Sequence, residues 1–228
     1  MKKVILFFVF AVCVNSFLFS DEPLLSESWA SVGFEYATFF ERCSDEVNIV
    51  DSFTGSLGIN FGGYRFFNGR NPGIFIHGLV AFPVTGFSET NGGAKTKTNF
   101  NDYLYITQVG LLVGPGFRFD LSEKLKFKCA AGIGFLYTVS MYPGYIPTYG
   151  DVVYEKESFS LGIGGDVGLK FDISDAVFLN IGGIFTLDFA SYIDMETSFG
   201  NSSSGWAREF FMLGMRPYIS VGTYLYWN

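Results

Sequence analysis

Phe159-Ser-Leu-Gly-Ile-Gly-Gly-Asp-Val-Gly-Leu-Lys-Phe171, the short turn Asp172-Ile-Ser-Asp175, and Val177-Phe-Leu-Asn-Ile-Gly-Gly-Ile-Phe-Thr-Leu-Asp-Phe189 decide the fold. In the first segment Phe159, Leu161, Ile163, Gly165, Val167, Leu169 and Phe171 share one side. Ser160, Gly162, Gly164, Asp166, Gly168 and Lys170 share the other. A period of two belongs to a β-strand, where successive side chains point to opposite faces. The second segment repeats the pattern with Val177, Leu179, Ile181, Gly183, Phe185, Leu187 and Phe189, and so do Phe127, Cys129, Ala131, Ile133, Phe135, Tyr137 and Val139.

Working outward, the turn recurs. Gly116-Phe-Arg-Phe-Asp-Leu-Ser-Glu-Lys-Leu-Lys-Phe127 matches Gly168-Leu-Lys-Phe-Asp-Ile-Ser-Asp-Ala-Val-Phe-Leu179, and Gly63-Tyr-Arg-Phe66 with the turn Asn68 to Gly73 is a third copy. Each unit holds two alternating strands around a short turn, then a longer polar connection, which is a run of β-hairpins and not a solenoid. The same reading gives eight strands near 29–41, 52–66, 74–84, 102–119, 125–139, 158–171, 176–190 and 208–227. The apolar parity slips near Gly62-Gly63, which predicts a bulge there. Connections at one end are short; those at the other, about 42–51, 85–101, 140–157 and 191–207, are long and polar. Short periplasmic turns and long external loops belong to outer-membrane barrels.

Composition says which way the barrel faces. Aromatics make up 19 % of the 228 residues and charged residues only 16 %. After the N-terminus no apolar run approaches the ~18 residues of a membrane helix, so a membrane location requires a closed barrel, which leaves no backbone group unpaired in lipid. A water-soluble barrel would load its polar face with Lys and Glu; here that face is mostly Gly, Ser, Thr and Asn. The expectation is an all-β, eight-stranded antiparallel up-and-down transmembrane β-barrel. Lys2, Lys3 and the apolar run Val4 to Val14 read as a signal peptide, residues 1–20, cleaved after Ser20 or Ser16, with the barrel domain over 21–228. The expected location is the outer membrane of a diderm bacterium, with its lipid as partner. The net charge of −7 argues against nucleic acid. Cys43, in a predicted loop, and Cys129, near the opposite end, are expected to form no disulfide.

The repeated Gly-x-[Arg/Lys]-Phe-Asp-[Leu/Ile]-Ser-[Glu/Asp] turn and the glycine-centred strand Ala131-Gly-Ile-Gly134 resemble the small eight-stranded outer-membrane families of OmpW, OmpX and the opacity proteins, OmpW most. The last strand, with Ile219, Val221, Thr223, Leu225 and Trp227 on one face, is similar to the C-terminal strand of bacterial outer-membrane proteins, although Asn228 follows the aromatic. That resemblance implies recognition by the barrel assembly machinery. The OmpW resemblance implies a narrow apolar channel for small hydrophobic molecules.

Parity places two sets of residues in the lumen. Phe39, Ile106, Leu112, Leu136, Ile184, Phe210 and Met212 gather towards the loop end; Glu35, Arg118, Lys126, Lys128, Asp166, Lys170 and Arg216 gather at mid-height and below. Two readings stay open: an apolar pocket or passive route above a charged floor, or side chains that fill a closed barrel with internally paired charges. A different function class rests on the third loop, where Tyr142, Tyr145, Tyr149 and Tyr154 would suit an adhesin that binds a host surface component. No enzyme is expected: the lone histidine, His77, faces inward on the third strand, far from the outer loops. No metal or other cofactor is expected, since Asp45-Glu46 and the Asp194/Glu196 pair read as solvated loop charges.

Overall fold

A computed structural model describes residues 27–44, 49–66, 72–146 and 150–225; the signal segment, Asp45, Glu46, Asn68, Tyr149, Trp227 and Asn228 lie outside the described residues. Eight long strands form the wall: β1 (Glu27–Ser44), β2 (Ile49–Phe66), β3 (Pro72–Thr90), β5 (Tyr105–Asp120), β6 (Leu125–Ile146), β7 (Gly150–Asp172), β8 (Val177–Thr197) and β10 (Glu209–Leu225). Two short strands, β4 (Thr96–Lys97) and β9 (Ser202–Trp206), extend the sheet at the loop end. Each long strand pairs antiparallel with the next. β10 then pairs with β1 from Ser28–Leu225 to Ser44–Glu209, which closes the ring.

The faces follow the alternation. Ile163, Val167, Leu169 and Phe171 on β7, and Ile181, Phe185 and Phe189 on β8, are exposed outward. So are Val32, Phe34, Ile133, Ile219 and Val221. An outer surface this apolar suits lipid and not water, as the outside of a membrane-spanning barrel must. Aromatic pairs mark the limits of the band: Phe40–Phe53 and Phe135–Phe159 towards the loops, Phe119–Phe127 towards the turns. Twelve residues separate Phe159 from Phe171 on β7. At ~3.4 Å per residue and a tilt near 40°, that is a height of about 30 Å.

The short turns repeat in detail. In one, Leu121 and Ser122 donate backbone N–H to the Leu125 carbonyl, and the Ser122 hydroxyl accepts from Leu125 N. In the other, Ile173, Ser174 and Val177 make the same bonds. The repeated sequence is thus a repeated turn in which serine satisfies the backbone.

Three expectations are corrected. Residues 49–66 of β2 pair with β1 without interruption, so no bulge occurs at Gly62-Gly63. Ser56, Asn60, Tyr64 and Phe66 all point inward; the apparent slip is a change of lumen filling from small polar groups to aromatics. The bulges lie elsewhere, opposite Gly55/Ser56, where Val84 is the extra residue, and beside Leu161/Gly162. The long connections are largely strand: β6 and β7 stay paired up to Ile146–Gly150, and β8 continues to Thr197. Cys43 accordingly sits on β1; it and Cys129 form no disulfide.

Candidate functional site

The lumen divides into two halves. In the half nearer the short turns, Trp29 is the hub of an aromatic cluster. Its ring lies 5.0 Å from Phe66, 5.7 Å from Tyr64 and 6.0 Å from Phe178. Phe75, Ala130 and Tyr218 join it. Leu112 and Ile184, expected at the loop end, belong to this cluster instead. Sequence reasoning missed Trp29, Phe75 and Phe178, although the parity that placed Glu35 inward also places Trp29 inward.

Above and between these rings lies a network of buried charges. The Arg216 Nε donates to Glu35, whose other oxygen is 2.7 Å from His77 Nε2. Lys128 Nζ donates to Asp166 at 2.6 Å. Asp166 also accepts from the hydroxyls of Tyr64 and Tyr218, the latter at 2.7 Å. Glu35, Asp166, Lys128 and Arg216 are each no more than 3 % exposed. The partners come from β1, β2, β3, β6, β7 and β10, so the network spans the barrel from wall to wall. Buried charges persist only when paired in this way. The remaining space among these groups is a cavity of about 10 Å³, about one water probe in size.

The other predicted charges lie near it. Arg118 stacks over Phe66, 4.9 Å from the ring centre. Lys170, fully buried, is bonded to Asp172 and to the Tyr224 hydroxyl, with the rings of Trp29, Phe178 and Tyr224 around its ammonium. Lys126 reaches the same tyrosine at 3.3 Å. Below them, Glu123, Lys124 and residues 172–175 of two short turns line a cleft of about 440 Å³ with Tyr224.

The half nearer the loops is different. Phe39, Leu136 and Met212 gather with Ala37, Leu79 and Ala81, and Phe210 packs against them. Ile106, half-buried beside Ser140, belongs to neither cluster. Around Leu136, the inward positions of β6, β7 and β8 carry hydroxyls, not the apolar groups expected: Thr138, Ser158, Ser160 and Ser191. Ser160 donates to the buried Asp188 at 2.8 Å, and Ser56 to Gln108 at 2.6 Å. Between the two walls is a cavity of about 30 Å³.

The wall beside this cavity has a break. β3 and β5 pair only as far as Ala81–Gln108, and Gln108 lines the cavity. Beyond it, Phe82 to Thr85 pair with β2 alone and Tyr105 to Thr107 with β6 alone. Pro83 has no N–H to give, and Val84 bulges, so this stretch of β3 is poorly suited to a ladder on its second edge.

Outside the band, Arg42 donates two hydrogen bonds to Asp51, at 2.6 and 2.8 Å, and this partner holds the Asp51 carboxyl below its ordinary value. On the projecting β6–β7 hairpin Tyr142 stacks on Tyr154 at 5.4 Å, with Tyr103 at 5.5 Å on the other side. Burial and the neighbouring phenols raise the Tyr142 pKa. Tyr145 is 68 % exposed. Asp194 and Glu196 stand on β8, across from Glu157 and Glu155 of β7. Among the described residues, no three His, Cys, Asp or Glu side chains group as metal ligands would.

No protein-family model matches the sequence, and no curated protein matches it. Solved structures do match in fold. The outer membrane protein OprG from Pseudomonas aeruginosa superposes with a TM-score of 0.52 at 10 % identity, covering 89 % of this chain and 97 % of that one. The outer membrane protein AlkL, determined in lipid bilayers, gives 0.53 at 14 % identity, with 91 % and 94 % covered. A major outer membrane protein from Thermus thermophilus gives 0.52 at 12 %, with 85 % and 99 % covered. The chain therefore has the small outer-membrane barrel fold that the turn and strand motifs implied.

Proposed function

We propose that this outer-membrane barrel is a passive, outward-facing pocket for small, partly apolar solutes, closed towards the periplasm. The observation that carries this reading is the pair of lumen halves: a cavity lined by Phe39, Leu136, Phe210 and Met212 above a wall-to-wall ion-pair network. A solute entering from the loops loses water against the apolar side and stops at the network. Its exit is sideways, through the unpaired stretch of β3 and β5 beside Gln108, into the lipid. No step needs a catalytic group or a cofactor. Export by the N-terminal signal and insertion through the C-terminal strand by the barrel assembly machinery belong to the same reading. The test is Leu136→Arg, which puts a charge into the cavity wall. Uptake of a labelled small apolar solute by cells carrying it should fall to the level of cells lacking the barrel, with heat-modifiable gel migration unchanged. Normal uptake by the folded variant contradicts the pocket.

A second reading rests on a separate observation, the stacked pair Tyr142–Tyr154 on the projecting hairpin, with Tyr103 tilted against it and Tyr145 exposed. Tyrosines held in place offer contact area at little further entropy cost, which suits adhesion to a host surface component. Tyr142→Ala with Tyr145→Ala should then abolish cell attachment and leave solute uptake as it was. Unchanged attachment removes this role.

A further inference from the structure

We infer that the loop-end cavity selects small neutral amphiphiles bearing a hydroxyl group, such as short-chain alcohols, over alkanes, carboxylates and amines. The inference rests on the pocket reading above and names its solute class. One side is mainly apolar, built by Phe39 of β1 and by Phe210 and Met212 of β10, with Glu41 of β1 and Thr54 of β2 at its edge, and Leu136 of β6 adds an apolar group beside Ser160 on the other side. The facing wall is a row of hydroxyls on neighbouring strands: Thr138 on β6, Ser158 and Ser160 on β7, and Ser191 on β8. Gln108 closes one side, its carbonyl already accepting from Ser56, which leaves its amide N–H groups as donors towards the cavity.

Each alternative ligand meets an obstacle here. An alkane lying between the walls would shield the hydroxyls from water and return no hydrogen bond. A carboxylate would approach Glu41, which lines the cavity, and Asp188, which lies just behind Ser160. An ammonium would be drawn to Glu41 but would have to give up its hydration in a cavity otherwise lined by apolar side chains and neutral hydroxyls, where Lys156 adds a like charge. A hydroxyl both donates and accepts, as do the serines and threonines it would meet, while its short chain covers Leu136 and Met212. The cavity of about 30 Å³ restricts the ligand to a few heavy atoms unless the mouth widens.

The test uses the methyl group of Met212 as a reporter from inside the cavity. The mature barrel, labelled with 13C-methyl methionine and reconstituted in lipid nanodiscs, is titrated separately with 1-butanol, pentane, butyrate and butylammonium. The Met212 resonance should shift and saturate with 1-butanol, and move at least tenfold less at equal aqueous concentration with the other three. Thr138→Val with Ser158→Ala, which keeps the cavity shape, should weaken the butanol response about tenfold; folding is verified by heat-modifiable migration. If pentane, butyrate or butylammonium moves Met212 as strongly as butanol, or the double variant responds like wild type, the hydroxyl selection is wrong while the pocket stands. If no ligand moves Met212, the pocket fails with it.

Discussion

The two halves of the lumen are built on the same strands, at the same inward parity, and end up as different materials. Towards the loops the inward positions carry Ser56, Thr138, Ser158, Ser160 and Ser191 beside a few apolar side chains, and space remains. Towards the short turns they carry Trp29, Tyr64, Phe66, Phe75 and Phe178, and only about 10 Å³ is left. An eight-stranded barrel is just wide enough for its own side chains to fill. Whether it holds a pocket or a plug is then decided by side-chain volume position by position, not by the backbone. The charges sit at the junction, where aromatic rings exclude water and tyrosine hydroxyls from two strands complete the shell of Asp166.

The largest effect should come from breaking the junction. Asp166→Ala leaves the Lys128 ammonium buried with a single tyrosine hydroxyl. Removing one member of a buried ion pair costs about 3–5 kcal/mol. Urea unfolding of the refolded barrel in vesicles should show a loss of that size; a loss below about 1 kcal/mol would mean that the network contributes little to closure. A smaller contrast compares the same substitution in each half. Leu112→Ala, in the packed half, should cost about 2–5 kcal/mol, as cavity-forming truncations do. Leu136→Ala borders existing space and should cost clearly less in the same experiment. Equal losses would mean that the two halves are packed alike.

Much of this was legible in the sequence, and the rest was hidden for identifiable reasons. The alternation from Phe127 to Phe189 gives the strands, their faces and the repeated serine turn, because a lipid-facing surface tolerates almost nothing but apolar side chains on one parity. The lumen imposes no such rule. Tyr64 and Phe66 look like outward residues displaced by a bulge, when they are inward residues large enough to fill the barrel. Leu112 and Ile184 could be assigned to the lumen but not to a half of it, since height depends on strand tilt and register. The β6–β7 hairpin reads as a loop because Pro143, Gly144 and Pro147 interrupt the pattern, yet the two strands continue to pair past Pro143. The pairing of His77 with Glu35 depends on strands β1 and β3 facing each other's side chains across β2, which no local pattern encodes.

The proposed pocket requires that the lumen be sealed at the junction of its two halves. Single-channel recording of the refolded wild-type barrel in a planar bilayer tests it most directly, with heat-modifiable migration as the check on folding. A sealed lumen gives a folded protein with no discrete current steps. Regular steps of uniform size from wild-type protein would show an open path for ions past Asp166 and Arg216, and would contradict it.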